Sequence, residues 1–314
     1  MDGRHGVFDS ERTFLVPTQL GVDVRQFSAV PRVFAPALSL VLVLVFVLVL
    51  VFAAPSSARA DETPITIGTS YTIDSALYGA ERTVNVFLPL SYESGASYPV
   101  LYVLDGGVRQ DFLNLVGMGA LAWLSGQYRE FVVVGVQTEN RYHELTAPSD
   151  VKEDNEINPD NGGAATFRRH VVDEVKPFVE AKLRTSGEDA VIGESLAGLF
   201  IAETFLREPT AFDHYVAISP SLWWRNMGLA DEAPSLLGAE DFPSGRSLYV
   251  TLADEGGMML EGVERFVNAV EAEVEAARID GLQLLYDPMP SEHHHTIYKP
   301  AQLAALRWIF ASGE

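Results

Sequence analysis

A serine stands between an apolar stretch and a helical pattern in residues 191–198, which read Val-Ile-Gly-Glu-Ser-Leu-Ala-Gly. The apolar stretch predicts a strand, and residues 199–207 predict a helix. A serine at such a junction sits on a tight turn that exposes its hydroxyl, as in the G-x-S-x-G nucleophile elbow. Ala197 replaces the last glycine of that pattern, and Gly198 follows directly. The segment predicts Ser195 as a nucleophile; a structural Gly-Ser turn is the alternative.

A serine hydroxyl needs a base to take its proton, and the chain has seven histidines. Three of them are adjacent, in residues 290–296, between the last predicted strand and the last predicted helix. In α/β enzymes that use a serine, the catalytic histidine follows the serine and the acid along the chain. The triple histidine therefore predicts the base. A metal site and a solvated surface loop are the alternatives.

An acid must orient the histidine and stabilise its positive form. The loop after the predicted strand 247–252 offers two adjacent acids, Asp254 and Glu255, which lie between the serine and the histidines along the chain. Their position after a strand singles them out. Because acidic residues are abundant in this chain, the alternative is that either one is simply solvated.

Developing negative charge on a tetrahedral intermediate needs preset N–H donors. Leu196 follows the serine directly and supplies one expected donor. Gly107 follows the predicted strand 99–104 and supplies the other, because glycine lets the backbone approach a substrate closely. The adjacent Trp223 and Trp224 are candidates for an aromatic substrate pocket, with buried packing as the alternative.

Apolar β-rich runs alternate with helical patterns after residue 61. The predicted strands are 83–88, 99–104, 131–136, 190–192, 215–219, 247–252 and 282–286, and the predicted helices are 166–184, 199–206, 258–278 and 301–310. This alternation predicts an α/β fold, with a mostly parallel central sheet and helices on both faces. Ligands of such sheets bind beyond the carboxyl ends of the strands. The serine, the acids and the early glycine should therefore share one edge, with residues 138–163 and 220–237 as a lid-like insertion.

The first 60 residues differ in composition from the rest of the chain. Residues 40–54 contain no polar side chain, and Ala58-Arg59-Ala60 follows shortly after them. A basic flank, an apolar run and a small-x-small site are typical of a secretory signal peptide. We expect cleavage after Ala60, a periplasmic or secreted product, and two regions: an N-terminal extension with a signal peptide (1–60) and a catalytic domain (61–314). An uncleaved anchor is the alternative, because the apolar run is nearly long enough to span a bilayer.

The chain carries a net charge of −21 and has no cysteine. A surface this acidic repels nucleic acid and anionic membranes, so neither is an expected partner. A membrane is an expected partner only if the signal segment is not cleaved. Since no disulfide is possible, stability must come from the hydrophobic core, and the chain is long enough to bury a large one.

Four stretches together resemble one known family. Residues 98–106, 191–198, 217–224 and 292–298 are similar to the "Putative esterase" (esterase-D-like) family of α/β-hydrolases. The likeness is greatest to the periplasmic siderophore esterases of the enterobactin and bacillibactin type, and it covers roughly residues 65–310. It implies the α/β-hydrolase fold over the whole predicted catalytic domain.

The resemblance also implies roles for particular residues. It selects His294 from the triple histidine, and it favours Glu255 over Asp254 as the acid. It matches Arg141 to an arginine that could hold an acidic or catecholate substrate. This chain departs from the family at Glu194, where a histidine is common beside the nucleophile, and at Ala197, where glycine is usual.

The function that follows is an exported serine carboxylic-ester hydrolase that acts through an acyl-enzyme, with siderophore lactone esters as the implied substrate class. The expected partner is a small-molecule ester, and no metal or cofactor is expected. Two alternatives remain open at this point. One is an acyltransferase that uses the same residues, and the other is a non-catalytic siderophore-binding protein on a hydrolase scaffold.

Overall fold

The computed structural model describes residues 35–52, 62–239 and 242–312. The chain divides into two units, Met1–Pro64 and Ile65–Glu314. In the first unit, helix α1 covers Ala35–Phe52. Within the described ranges, no helix meets the length and apolarity needed to cross a membrane. The expected cleavage site at Ala60 lies outside the described residues.

An eight-stranded sheet forms the centre of the second unit, with the strand order β1-β2-β4-β3-β5-β6-β7-β8. The strands are β1 Thr69–Ser75, β2 Ala80–Phe87, β3 Tyr98–Leu104, β4 Val132–Val136, β5 Thr185–Glu194, β6 His214–Ile218, β7 Ser247–Thr251 and β8 Gln283–Tyr286. The pairs β1–β2 and β2–β4 are antiparallel, and the remaining pairs are parallel. This confirms the predicted α/β fold with a mostly parallel sheet. Strand β1 was not predicted.

Helices follow most of the strands. They are α2 Phe112–Ser125, α3 Arg141–Glu144, α4 Lys152–Ile157, α5 Ala164–Arg169, α6 Lys176–Lys182, α7 Leu196–Arg207, α8 Trp224–Leu237, α9 Gly257–Glu275 and α10 Tyr298–Ile309. The single helix predicted over 166–184 consists of α5, a π-helical turn at His170–Val175, and α6. The two segments predicted to form a lid contain α3, α4 and α8.

Strands β3 and β4 are buried on both faces, which explains why they read as continuous apolar runs. Along β3, Tyr102 and Leu104 enter one hydrophobic core, whereas Leu101 and Val103 enter the other. Side chains of α7, α8 and α9 line the first core, and side chains of α2 and α10 line the second. Each large apolar side chain buried in this way contributes about 1.5–3 kcal/mol. The sheet is therefore a firm support for the loops at its edges.

The loops at the carboxyl ends of the strands carry an uncommon backbone conformation. Three residues other than glycine have positive φ there: Asp105 after β3 (51°), Ser195 after β5 (62°) and Ser219 after β6 (38°). Such conformations cost free energy and persist only where the surroundings impose them, which happens most often at functional sites. This edge is where the sequence analysis placed the candidate chemistry.

Candidate active site

Ser195 occupies a sharp turn between β5 and α7, with φ 62° and ψ −118°. The turn is tight because small residues surround it. A Cβ on Gly193 would lie 2.5 Å from the Cβ of Ala197, and a Cβ on Gly198 would lie 2.9 Å from the carbonyl oxygen of Ile218. The methyl group of Ala197 fits because Gly193 has no side chain. The substitution of alanine for the usual glycine therefore leaves the elbow intact.

The structure brings one histidine and one acid together. Nδ1 of His294 lies 2.5 Å from Oε1 of Glu255, and the Ser219 hydroxyl donates to Oε2 of the same carboxylate at 2.7 Å. His294 is half-buried, whereas His293 and His295 are exposed. The geometry thus agrees with His294 as the member of the triple histidine that faces the site.

The pair shifts the proton affinity of both partners. The hydrogen bond that His294 donates to the Glu255 carboxylate raises the pKa of His294, and burial opposes that shift. Burial pushes the pKa of Glu255 upward, but hydrogen bonds from His294 and Ser219 outweigh it and hold that pKa below its ordinary value. An ionised acid beside a histidine of raised basicity is the arrangement that a general base needs.

Asp254 is not part of this arrangement. Its side chain is exposed, and its backbone N–H donates to the carbonyl oxygen of Glu292 at 2.9 Å. Of the two acids that the sequence left open, Glu255 is the one that reaches the histidine. The backbone between β7 and α9 turns the neighbouring carboxylates in different directions.

Ser195, His294 and Glu255 line one open pocket of about 330 Å³. The other lining residues are Arg141, Tyr142, Ile157, Leu196, Ser221, Trp223 and Met259.

The Ser195 hydroxyl lies 3.2 Å from the Ser221 hydroxyl, and in the described part of the chain no hydrogen bond joins it to His294. Catalytic hydrogen bonds are often long without substrate and tighten when it binds. Larger surface cavities, of about 430 and 470 Å³, have no histidine among their lining residues.

The two predicted oxyanion donors differ in their placement. Leu196 lines the pocket as the first residue of α7, where a helix leaves its N–H groups without carbonyl partners inside the helix. The N–H of Gly107 instead donates to Oε1 of Gln110 at 2.8 Å, and the amide nitrogen of Gln110 donates to Thr138. In this conformation Gly107 does not line the pocket. Its role as a donor stays a prediction that requires the Gln110 side chain to move.

Arg141 and Trp223 lie in the pocket, as predicted for substrate-binding residues. Nε of Arg141 donates to the Asp105 carboxylate at 2.9 Å. Trp224 does not line this pocket. It is 2% exposed, and its indole N–H donates to the carbonyl oxygen of Ala147 at 3.0 Å. This placement agrees with the buried packing given above as the alternative, and a contact of Trp224 with substrate stays a prediction.

Two half-buried carboxyls near the pair were not predicted as part of the site. Burial, and then the charge of Asp111, raise the pKa of Glu194 to about 7. Burial, and then the charge of Asp105, raise the pKa of Asp111 to about 6. Within the described ranges, no group of three or more histidine, cysteine, aspartate or glutamate side chains is arranged to hold a metal ion.

Sequence reasoning also missed Ser219 and Ser221, which bond to the acid and to the serine. The only available signal was their position directly after strand β6, at the same edge of the sheet. Hydroxyl residues are too common at strand ends for that position to mark a function.

The mostly parallel sheet and the strained serine at the end of its central strand define an α/β-hydrolase fold. The family model described as "Putative esterase" matches residues 75–257, more than half of the chain, and the chain belongs to this family.

Two curated relatives carry names with an activity. The chain is 36% identical over 123 residues to the "Siderophore enterobactin esterase" of Emericella nidulans, a match that covers 36% of this chain and 39% of that protein. It is 29% identical over 165 residues to the "Ferri-bacillibactin esterase BesA" of Bacillus subtilis, covering 46% of this chain and 55% of that protein. These matches therefore span about half or less of the relatives' lengths.

Solved structures support the fold. An IroE-like serine hydrolase from Shewanella oneidensis has a TM-score of 0.67 at 23% identity, covering 77% of this chain and 80% of that chain. The BES protein from Bacillus cereus has a TM-score of 0.66 at 22% identity, covering 81% of this chain and all of that one (100%). At such identities the likeness concerns the fold alone.

Proposed function

We propose that this esterase-family protein is a serine carboxylic-ester hydrolase that acts through an acyl-enzyme. The observation that carries the proposal is the 2.5 Å contact between His294 and Glu255, in the same pocket as Ser195. A nucleophile on a strained turn, a base and an orienting acid are the three parts that ester hydrolysis by serine requires.

The reaction follows from the roles of these groups. Nε2 of His294 takes the proton of Ser195 as Oγ attacks the ester carbonyl carbon, and Glu255 stabilises the imidazolium. The Leu196 N–H stabilises the oxyanion, joined by the Gly107 N–H once Gln110 moves away. Collapse breaks the ester C–O bond, and the leaving alcohol takes the proton from His294. Water, deprotonated by the same imidazole, then attacks the acyl carbon; the bond between that carbon and Ser195 Oγ breaks, His294 returns the proton to Oγ, and the acid is released.

We infer that the substrate class is siderophore lactone esters. The names of the two curated relatives support this class. The pocket adds support from this chain's own residues. It is open to solvent, which suits a bulky substrate, and it combines the Arg141 cation with the apolar side chains of Tyr142, Ile157 and Trp223. A cation beside aromatic surface suits acyl groups that carry acidic phenolic rings.

We also propose that the protein is exported, that cleavage follows Ala60, and that residues 61–314 form the catalytic domain. The support is the apolar run with its small-x-small site, read from the sequence. Sequencing the N-terminus of the protein recovered from the periplasm or medium tests this. A product that begins at Asp61 is expected, and a product that keeps residues 1–60 would contradict cleavage.

A hydrolysis assay over a panel of esters tests the activity and the substrate class together. The panel contains p-nitrophenyl acyl esters, feruloyl esters and trilactone siderophores. We expect turnover by the natural protein, with the highest kcat/KM on a trilactone, and a loss of roughly 10³-fold or more in kcat for Ser195→Ala. Ser235→Ala, at an exposed position on α8, is the matched control and should behave like the natural protein. Undiminished turnover by Ser195→Ala would refute the mechanism, and transesterified product in the presence of an alcohol would indicate acyl transfer instead.

A further inference from the structure

The turn between β6 and α8, Ser219-Pro220-Ser221, touches both the acid and the serine of the proposed site. On the acid side, the Ser219 hydroxyl donates to Oε2 of Glu255 at 2.7 Å and accepts from the Ala253 N–H at 3.2 Å. The backbone N–H of Ser219 also donates to the carbonyl oxygen of Thr251 at 2.9 Å. Three hydrogen bonds thus tie this one residue to the end of β7 and to the loop that carries the acid.

The same turn holds the nucleophile elbow. The Ser195 N–H donates to the carbonyl oxygen of Ile218 at 2.9 Å, and the Ser221 N–H donates to the carbonyl oxygen of Ser195 at 3.1 Å. Gly198 packs so closely here that an added Cβ would lie 3.0 Å from the Cα of Pro220. The loop that carries the acid and the turn that carries the nucleophile are therefore both hydrogen-bonded to one short segment.

Ser219 is buried and conformationally constrained. Its side chain is fully buried (0% exposed), and its φ of 38° is uncommon for any residue other than glycine. Its hydroxyl uses both its donor and its acceptor capacity on the acid loop. The strain is held in place by the hydrogen bonds on either side of it.

The two oxygens of the Glu255 carboxylate have separate partners. Oε1 faces His294, and Oε2 accepts from Ser219. A glutamate has one more rotatable bond than an aspartate, so a single contact with the imidazole would leave it freer to swing into the open pocket. The second contact fixes the plane of the carboxylate and aims Oε1 at Nδ1.

We propose that Ser219 is a positioning residue of the hydrolase, which holds Glu255 in the orientation that His294 requires. This inference rests on the proposed function. Ser219 does not touch substrate, and it acts only through the carboxylate. Its loss should lower the rate by freeing Glu255, and it should leave substrate binding nearly unchanged.

A double-mutant cycle between Ser219→Ala and Glu255→Ala tests the proposal. In the natural background, Ser219→Ala should lower kcat roughly ten- to hundredfold with little change in KM, as for the loss of one hydrogen bond to a charged group. In the Glu255→Ala background the same substitution should change kcat by less than about twofold, because its target is gone. An equal loss in both backgrounds would overturn the proposal and indicate a general structural role.

The pH profile gives a second, independent readout. When Glu255 swings away, His294 loses the partner that raises its pKa, so the acidic limb of kcat/KM should move to lower pH in Ser219→Ala. His294 also faces Glu194 and Arg141, which stay in place in this variant. An unchanged acidic limb together with an unchanged kcat would overturn the proposal.

Ser219→Gly is the control for misfolding of Ser219→Ala, because glycine adopts a φ of 38° without strain and also removes the hydroxyl. It should show the same loss of kcat as Ser219→Ala, whereas recovery of full activity in the glycine variant would overturn the proposal. Ser195→Ala distinguishes failure of the proposed function from failure of the role proposed for Ser219. If Ser195→Ala keeps turnover, the proposed function fails; if it loses turnover while Ser219→Ala matches the natural protein, only this inference fails.

Discussion

Glu194 precedes the proposed nucleophile, at a position where the esterases that this chain resembles commonly have histidine. One of its carboxyl oxygens is buried and has no hydrogen-bond partner among the described residues. Burial, reinforced by the negative charge of Asp111, raises its pKa from 4.5 to about 7, although the nearby His294 opposes the shift. The folded protein therefore binds this proton more tightly than the unfolded chain. The stability linked to the proton is present below about pH 4.5 and is lost as the pH rises through about 7.

Glu194→Gln keeps the shape of the side chain and removes its ionisation. We expect the variant to have a higher free energy of unfolding than the natural protein at pH 8. This difference between the two proteins should be larger at pH 8 than at pH 5 by on the order of 1–3 kcal/mol. Urea denaturation at the two pH values measures this difference. Glu271→Gln, at an exposed position on α9, is the matched control and should show no such dependence. An equal effect of Glu194→Gln at both pH values would contradict the account of its buried carboxyl.

Helix α3 is the element that presents Arg141 and Tyr142 to the pocket, yet it has only four residues. A helix of that length has no stability of its own in water. Its last residue, Glu144, forms a buried ion pair with Arg82 of β2, with 2.6 Å between Nη1 and Oε1. Glu144 also accepts from the backbone N–H of Glu139 at 3.0 Å. One buried carboxylate thus links the helix to the sheet, and we expect the position of Arg141 to depend on this link as well as on its bond to Asp105.

Arg82→Met should destabilise the protein by about 3–5 kcal/mol, because it leaves the Glu144 carboxylate buried without its partner. In the protein that remains folded, KM for an acidic ester should rise more than KM for a neutral p-nitrophenyl ester, since Arg141 is displaced. Arg265→Met breaks two exposed pairs, with Asp231 and with Glu261, and is the matched control, with a much smaller expected cost. Equal costs for the two substitutions would contradict the role assigned to the buried pair.

Across the whole molecule, the sequence predicted the architecture better than the details of the site. Strands such as β3 and β4 were predictable because burial on both faces leaves nearly continuous apolar runs. Strand β1 was missed because its burial pattern is mostly exposed and its residues are largely polar. Helix α2 was missed because its two glycines and its apolar residues on all sides obscure a helical period.

The chain order serine, acid, histidine could be predicted because each of these residues follows a predicted strand. The direction in which neighbouring side chains point could not be predicted. Glu255 and Asp254 are adjacent acids, and only the course of the backbone turns one inward. Trp223 and Trp224 divide in the same way between the pocket and the interior. The role of Ser219 could not be predicted, because Ser219 and Glu255 come close only through the pairing of β6 with β7.

The central claim is that Ser195 is the nucleophile of a site assembled from distant parts of the chain. Its most direct test is the reaction of the full chain with a fluorophosphonate, followed by intact-protein mass spectrometry and peptide mapping. The account predicts one adduct per chain, located on Ser195, absent in Ser195→Ala and retained in Ser221→Ala. An adduct on Ser221, or no adduct on a folded protein that hydrolyses esters, would contradict it.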